Sequence, residues 1–97
     1  MADLEYADKY IERLCTDERF MKREIGAEAA GHLMKRMVEL RSVTVVEDLL
    51  QGTGRWEELT GDRLGQWSAR LGKNWRLIIE AMRGDIQIIV VEVVDYH

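Results

Sequence analysis

Proline is absent from all 97 residues, cysteine and phenylalanine occur once each, and histidine occurs twice. The lone Cys15 cannot close an internal disulfide. With no histidine close behind it, it reads as a small apolar helix residue rather than a nucleophile. His32 and His97 stand far apart, with no cysteine or acidic cluster beside either, so no metal site is expected. His32 follows Gly31 in a helical stretch and reads as a surface or boundary residue. No apolar run approaches the ~18–20 residues that span a bilayer, so no membrane partner is expected. The start, Met1-Ala2-Asp3-Leu4-Glu5, lacks the basic-then-apolar order of a secretion signal. These absences point to the cytoplasm. Without proline, low complexity or an internal repeat there is no domain boundary, and residues 1–97 are expected to form a single domain.

Basic character is also scarce. The formal net charge is −4 and the isoelectric point about 5.2. A chain that lives on phosphate contacts is usually basic throughout. Here positive charge is local. Residues 55–83 carry six basic and four acidic side chains, a net of +2, while the segments before and after are each net −3.

What is present is a helical half followed by a strand-forming half. Leu4-Glu5-Tyr6 is a short strand candidate. Asp8 is placed to cap a helix running to Leu14, with Tyr10, Ile11 and Leu14 inward. Thr16 or Asp17 offers a second cap, with acidic residues suited to the helix dipole. Phe20, Met21 and Ile25 continue the helical spacing up to a break at Gly26. Ala27–Leu40 is the strongest helix, with Ala30, Leu33, Met34, Met37 and Leu40 on one stripe and Lys35, Arg36 and Glu39 away from it. Thr44-Val45-Val46-Glu47 matches a capping box ahead of a short helix. The Gly52-Thr53-Gly54 loop lacks the Gly-Lys-Ser/Thr ending of a phosphate loop. Arg55–Leu59 is a strand candidate and Gly61-Asp62-Arg63 a turn.

The last third organises the rest. Gln66–Leu71 and Trp75–Met82 alternate with period two, as half-buried strands do. Gly72-Lys73-Asn74 joins them. Ile86–Val94 is almost continuously apolar, as a central strand buried on both faces would be. The expected fold class is therefore α+β, with N-terminal helices packed on one face of a mainly antiparallel, twisted sheet. Its opposite face is expected to gather Arg70 and Arg76, if the hairpin register brings them alongside one another. The chain closes on Asp95-Tyr96-His97.

This last third resembles the RelE/ParE superfamily of toxins from type II toxin–antitoxin systems, and within it the HigB-like "killer protein" branch. The resemblance rests on Leu59 to Arg63, Trp67-Ser68, Asn74 to Ile78 and Val94 to His97, in order and at compatible spacing. It implies a RelE-like toxin that acts as a ribosome-dependent mRNA endoribonuclease and is neutralised by a cognate antitoxin. The antitoxin is expected to be of the helix-turn-helix type, and the complex to reach operator DNA through it. Cleavage by 2′-OH attack requires a base or aligning group, a proton donor for the leaving oxygen and fixed positive charge at the phosphorane, with no metal or cofactor. On the matched residues, Arg76, His97, Tyr96 and Asp95 would form the catalytic set, and Arg63, Arg70 and Lys73 would bind RNA. The chain departs from the branch at Glu57-Glu58, where a His-Pro pair often stands, and at Thr60, where lysine is common. A ParE-like gyrase inhibitor and a catalytically silent antitoxin-binding module stay open beside the nuclease.

Overall fold

A computed structural model describes residues 2–95. The order of elements is strand β1 (Asp3–Tyr6), helix α1 (Lys9–Thr16), helix α2 (Glu18–Ser42), and strands β2 (Glu57–Glu58), β3 (Gln66–Arg70), β4 (Trp75–Glu80) and β5 (Gln87–Asp95). The five strands form one sheet in the order β1-β5-β4-β3-β2. The β2–β3, β3–β4 and β4–β5 pairs are antiparallel, and β1 joins β5 in parallel. The expected α+β architecture holds, as a mixed sheet.

Each helix starts where a carboxylate can satisfy exposed backbone N–H groups. Asp8 accepts from the Ile11 N–H at 2.8 Å and Asp17 from the Phe20 N–H at 3.2 Å. The Asp17 backbone N–H also closes α1 by donating to the Arg13 carbonyl. One residue therefore ends one helix and begins the next. Gly26, at φ 85° and ψ 163°, kinks α2. Those angles lie in a region essentially reserved for glycine, where another residue would cost about 1–3 kcal/mol, and the break anticipated at Gly26 is present as a kink at which two helical segments meet.

Both helices cover one face of the sheet. Leu14, Met21, Leu33, Met37 and Leu40 meet Trp67, Leu77, Ile79, Ile88 and Val90 in the core, all with 2% or less of their surface exposed. Burial of each such aliphatic side chain contributes about 1.5–3 kcal/mol. No helix covers the other face. β5 is consequently not buried on both sides as its apolar run predicts: Ile88 and Val90 are buried, and Ile89 and Val91–Val94 only half-buried.

Three further expectations change. Met34 is half-buried, whereas Arg36, expected outside the apolar stripe, is buried. Its Nε lies 2.8 Å from Glu39 Oε1, close enough for an ion pair but not aligned to donate its N–H. Second, the expected short helix is present as a 3₁₀ helix, Val46–Gln51, but its capping acid is Asp48 rather than Glu47. Asp48 caps it, accepting from the Thr44 and Val45 N–H groups. Third, the strand candidate Arg55–Leu59 shrinks to Glu57–Glu58. The chain before it is occupied in crossing the buried pair: Trp56 Nε1 donates to Glu39 Oε1 at 3.3 Å.

A β-bulge sits on β5. Ile78 pairs with Glu92 but Ile79 with Val90, leaving Val91 as an extra residue. The bulge reverses side-chain parity along the strand. Beyond it, Glu92 and Val94 share the uncovered face with Ile78 and Arg76, while Val93 and Asp95 fall on the helix side, opposite Leu77 and Trp75.

Candidate active site

The uncovered face of the sheet carries the charge that composition localises to the middle of the chain. In the β3–β4 ladder Arg70 is the direct partner of Arg76. The pairing sequence Gln66↔Glu80, Ser68↔Ile78, Arg70↔Arg76 puts alternate residues of both strands on this face. Arg70 is exposed and Arg76 half-buried, and Arg76 Nη1 donates to the Trp75 carbonyl at 3.0 Å. Lys73 is exposed in the turn that joins these strands. Three cations thus collect at one end of the sheet. Like charges directly opposite one another ordinarily destabilise a ladder, which sets this cross-strand pair apart.

Arg63 approaches the same face from the Gly61–Arg63 turn. Its Nη1 donates to Gln66 Oε1 at 3.0 Å and to Glu92 Oε1 at 3.1 Å. The partner carboxylate is available there only because the bulge turns Glu92 outward. The pair is open to solvent, with 44% and 36% of the two side chains exposed.

Asp95 reaches the arginine end of the sheet but on the other pleat, opposite Trp75, while Val94 is the residue opposite Arg76. The structure therefore unites Arg70 and Arg76 on one face and places Lys73 in their connecting turn. It holds Arg63 to Glu92 and sets Asp95 on the helix side. Tyr96 and His97 lie outside the described residues.

One charged residue of this face was not singled out from the sequence. β2 pairs Glu57 with Ser68 and Glu58 with Trp67. Glu57 therefore shares the face of Ser68, Arg70 and Arg76, and Glu58 the face of Trp67. The two neighbours differ in their partners. Glu58 Oε1 accepts from Arg83 Nη2 at 2.9 Å and from Nε at 3.2 Å, and the Glu58 contact is the main reason the Arg83 pKa is raised. Glu57 is exposed and forms no ion pair with the described residues. Alternation within Glu57-Glu58 was the available signal, but so short a strand gives no register by itself.

The segment that carries Glu57 is held from behind. The Arg36–Glu39 pair, with 9% and 18% of the side chains exposed, lies under it. A Cβ on Gly54 would come within 2.6 Å of both Glu39 Oε1 and Trp56 Nε1, and 2.8 Å from Arg36 Nη1. Only glycine passes over this network without displacing it. The next residue, Arg55, has φ 53°, the one positive value at a non-glycine position among the described residues. Such a conformation costs on the order of 1–3 kcal/mol and persists where surrounding structure enforces it. Among the described residues, no three His, Cys, Asp or Glu side chains converge as a metal-ligand set.

Comparison with known proteins gives this geometry a context. A family model described as "RelE-like toxin of type II toxin-antitoxin system HigB" matches residues 4–97. Endoribonuclease HigB of Proteus vulgaris is 28% identical over 80 residues, covering 82% of this chain and 85% of that protein. Among solved structures, the YoeB/ParE toxin from Agrobacterium tumefaciens superposes with a TM-score of 0.64 at 18% identity, covering 98% of this chain and 99% of that one. A YoeB-YefM complex from Staphylococcus aureus gives 0.64 at 16% identity, covering 100% and 98%. YafQ from E. coli gives 0.57 at 14% identity, covering 98% and 93%. The last three likenesses, all at low identity, support the fold.

Proposed function

Because the chain belongs to the HigB family of RelE-like toxins of type II toxin–antitoxin systems, we propose that it is an endoribonuclease that cleaves mRNA on the ribosome. The relative from Proteus vulgaris carries the name of an endoribonuclease. The single observation that carries the reading to this chain's own residues is the direct cross-strand pairing of Arg70 with Arg76. Two guanidiniums side by side, on a face no helix covers, suit the bidentate binding of a phosphodiester.

In this reading the scissile phosphate rests on Arg70 and Arg76. Attack by the 2′-oxygen on phosphorus gives a phosphorane whose added negative charge these guanidiniums neutralise, a contribution worth about 10²–10³ in rate per donor at comparable sites. The 5′-oxygen departs and takes up a proton. His97 is the donor assigned to it, Asp95 orients that histidine, and Tyr96 stacks on a base or aligns a hydroxyl. Support for placing the acid at the chain end comes from the path of β5, which runs past Arg76 and ends beside it. Lys73 and Arg63 hold the flanking backbone. The Arg63–Glu92 pair is exposed, and such pairs are worth ~0–1 kcal/mol, so a phosphate can compete with Glu92 for the guanidinium.

The partner is a cognate antitoxin. The YoeB of Staphylococcus aureus has been solved in a heterotetrameric toxin–antitoxin complex with YefM. For this chain we assign an antitoxin of the helix-turn-helix type, through which the complex reaches operator DNA.

The test is expression of the chain in bacteria without its antitoxin, followed by mapping of transcript ends. Growth arrest with transcripts cut within codons, abolished by Arg76→Ala, is the expected outcome. Arrest with intact transcripts and inhibited DNA supercoiling would transfer the protein to the gyrase-inhibitor class. Unimpeded growth with intact transcripts would leave an antitoxin-binding module.

A further inference from the structure

The uncovered face has a second end, away from the arginine pair. Four residues beyond Arg76 along β4, about 13 Å, Glu80 stands exposed, with Gln66 directly opposite on β3 and Ile89 opposite on β5. Just past the strand ends come Leu64 and Met82. They are 77% and 69% exposed, the two most open large apolar side chains among the described residues. Together with Glu80 and Ile89 they line a shallow recess of about 210 Å³. Apolar side chains scattered singly over a surface need no explanation. Two of them gathered beside a carboxylate, on the face that carries the arginines, do.

Backbone bonds hold the walls of this recess. The Leu64 N–H donates to the Gly61 carbonyl at 3.1 Å, and the Ala81 N–H donates to the Gly65 carbonyl at 3.0 Å. The Met82 carbonyl accepts from the Asp85 N–H at 3.0 Å. The polar groups are equally set. Gln66 Oε1 accepts from Arg63 Nη1 at 3.0 Å, which leaves the amide Nε2 as a donor beside Glu80. Glu80 itself forms no hydrogen bond or ion pair with the described residues. One donor next to two carboxylate acceptors is the complement of the Watson–Crick edge of guanine, which offers O6 as acceptor and N1–H and N2–H as donors. Adenine and cytosine each present one amino group and a bare ring nitrogen that a carboxylate repels. Uracil presents a single N–H.

We propose that this recess binds a guanine base of the single-stranded message two nucleotides from the scissile phosphate, with Glu80 as the specificity-determining residue. The inference rests on the nuclease reading above and adds a subsite at the far end of the same face. Leu64, Met82 and Ile89 pack against the plane of the unpaired base, the Met82 thioether contributing its polarizable sulfur. Glu80 accepts from N1–H and N2–H, and Gln66 donates to O6. The distance of about 13 Å from the arginine row is one that an extended dinucleotide spans. Arg63, bonded to Gln66 and Glu92, lies between the two ends, where the intervening phosphate passes. The carboxylates of Glu80 and Asp85 disfavour a phosphate in the recess itself, so the RNA enters it base-first.

The experiment is cleavage by the full chain on programmed ribosomes, with messages that carry guanine, inosine or adenine two nucleotides from the cut, on its 5′ and 3′ sides in turn. Wild type is expected to favour guanine over adenine on one side by about 5–150-fold in kcat/KM. Inosine keeps O6 and N1–H but lacks the 2-amino group, and should fall between the two. Glu80→Gln places a donor in the acceptor pair. It should unfold at the wild-type temperature, cut the adenine message at the wild-type rate or faster, and lose the guanine preference. Leu64→Ser combined with Met82→Ser should slow cleavage of every message and keep the order of bases. A wild type indifferent to the base on both sides, or a guanine preference that survives Glu80→Gln, overturns the proposal while the nuclease reading stands. A double variant that cuts every message at the wild-type rate also overturns it, and would give the apolar pair to a protein partner. A wild-type chain that cuts no RNA overturns both.

Discussion

Arg70 and Arg76 are direct partners across the β3–β4 ladder, two cations in a position where a sheet ordinarily avoids like charges. The local cost of that pairing is on the order of 0.2–1 kcal/mol, and it is relieved when an anion bridges the two. Arg70→Gln should therefore leave the free protein as stable as wild type or slightly more so, while reducing RNA cleavage by about 10²-fold or more. Thermal unfolding with and without added phosphate checks the cause. Phosphate should raise the melting temperature of wild type through preferential binding to the folded state, and raise that of Arg70→Gln less. Equal gains would place the anion elsewhere.

The network beneath β2 predicts the opposite balance, with stability at risk far from the arginines. Glu39→Gln leaves Arg36 buried without its counter-charge, a loss that typically costs 3–5 kcal/mol at roughly this degree of burial. Gly54→Ala forces a methyl against Glu39, Trp56 and Arg36 at 2.6–2.8 Å and should cost about 1–3 kcal/mol by overpacking. Denaturant midpoints measure both. If Gly54→Ala unfolds at the wild-type midpoint, the loop does not cross the network as closely as described.

How much of this was legible in the sequence depends on the range of the interaction that decides it. Asp8 and Asp17 announce their helices because a cap acts within three residues, and Gly26 announces the kink. The alternation of Gln66–Leu71 and Trp75–Met82 gave the two faces of the hairpin, so the Arg70–Arg76 meeting could be anticipated. Arg36 could not be placed from its helical spacing, because its burial depends on Trp56 and the glycine loop arriving from elsewhere in the chain. The bulge at Val91 leaves no periodic mark in an apolar run, yet it decides that Glu92 meets Arg63 and that Asp95 turns away from Arg76. Glu57 was hidden for the same reason: its face is set by pairing with Ser68, not by its neighbours in sequence.

Stability should vary with pH through two groups outside the site. Burial pushes the Cys15 thiol up to about 12 from its ordinary 9.0, against an opposing pull from Arg41. The unfolded thiol ionises near 9 while the folded one keeps its proton. Stability from this group is thus complete below pH 9 and falls as pH rises toward 12, by up to ~1.4 kcal/mol per pH unit. Cys15→Ala should flatten that alkaline decline. At the acid end, the Phe20 N–H bond, followed by the Arg13 charge, holds Asp17 below its ordinary 3.8. Its contribution is present above pH 4 and is lost as pH falls through the lowered value. Asp17→Asn keeps a cap but removes that acid dependence. Chemical denaturation across pH separates the two.

The Arg63–Glu92 pair gives a prediction of gain rather than loss. Arg63 is held at 3.1 Å by a carboxylate that the bulge presents on the uncovered side of the sheet. If Arg63 grips the RNA backbone, Glu92 competes with phosphate for it and adds repulsion of its own. Glu92→Gln should then tighten RNA binding, by up to about fivefold for a pair worth ~1 kcal/mol. The gain should be largest at low salt and fade as ionic strength rises. Arg63→Gln should weaken binding and lower the slope of log K against log salt by about one unit. In the double variant the Glu92 substitution should give a smaller gain than it gives alone, since the guanidinium it would release is gone. Equal gains from Glu92→Gln in both backgrounds would mean that Glu92 acts by general repulsion, and that Arg63 serves the fold rather than the RNA.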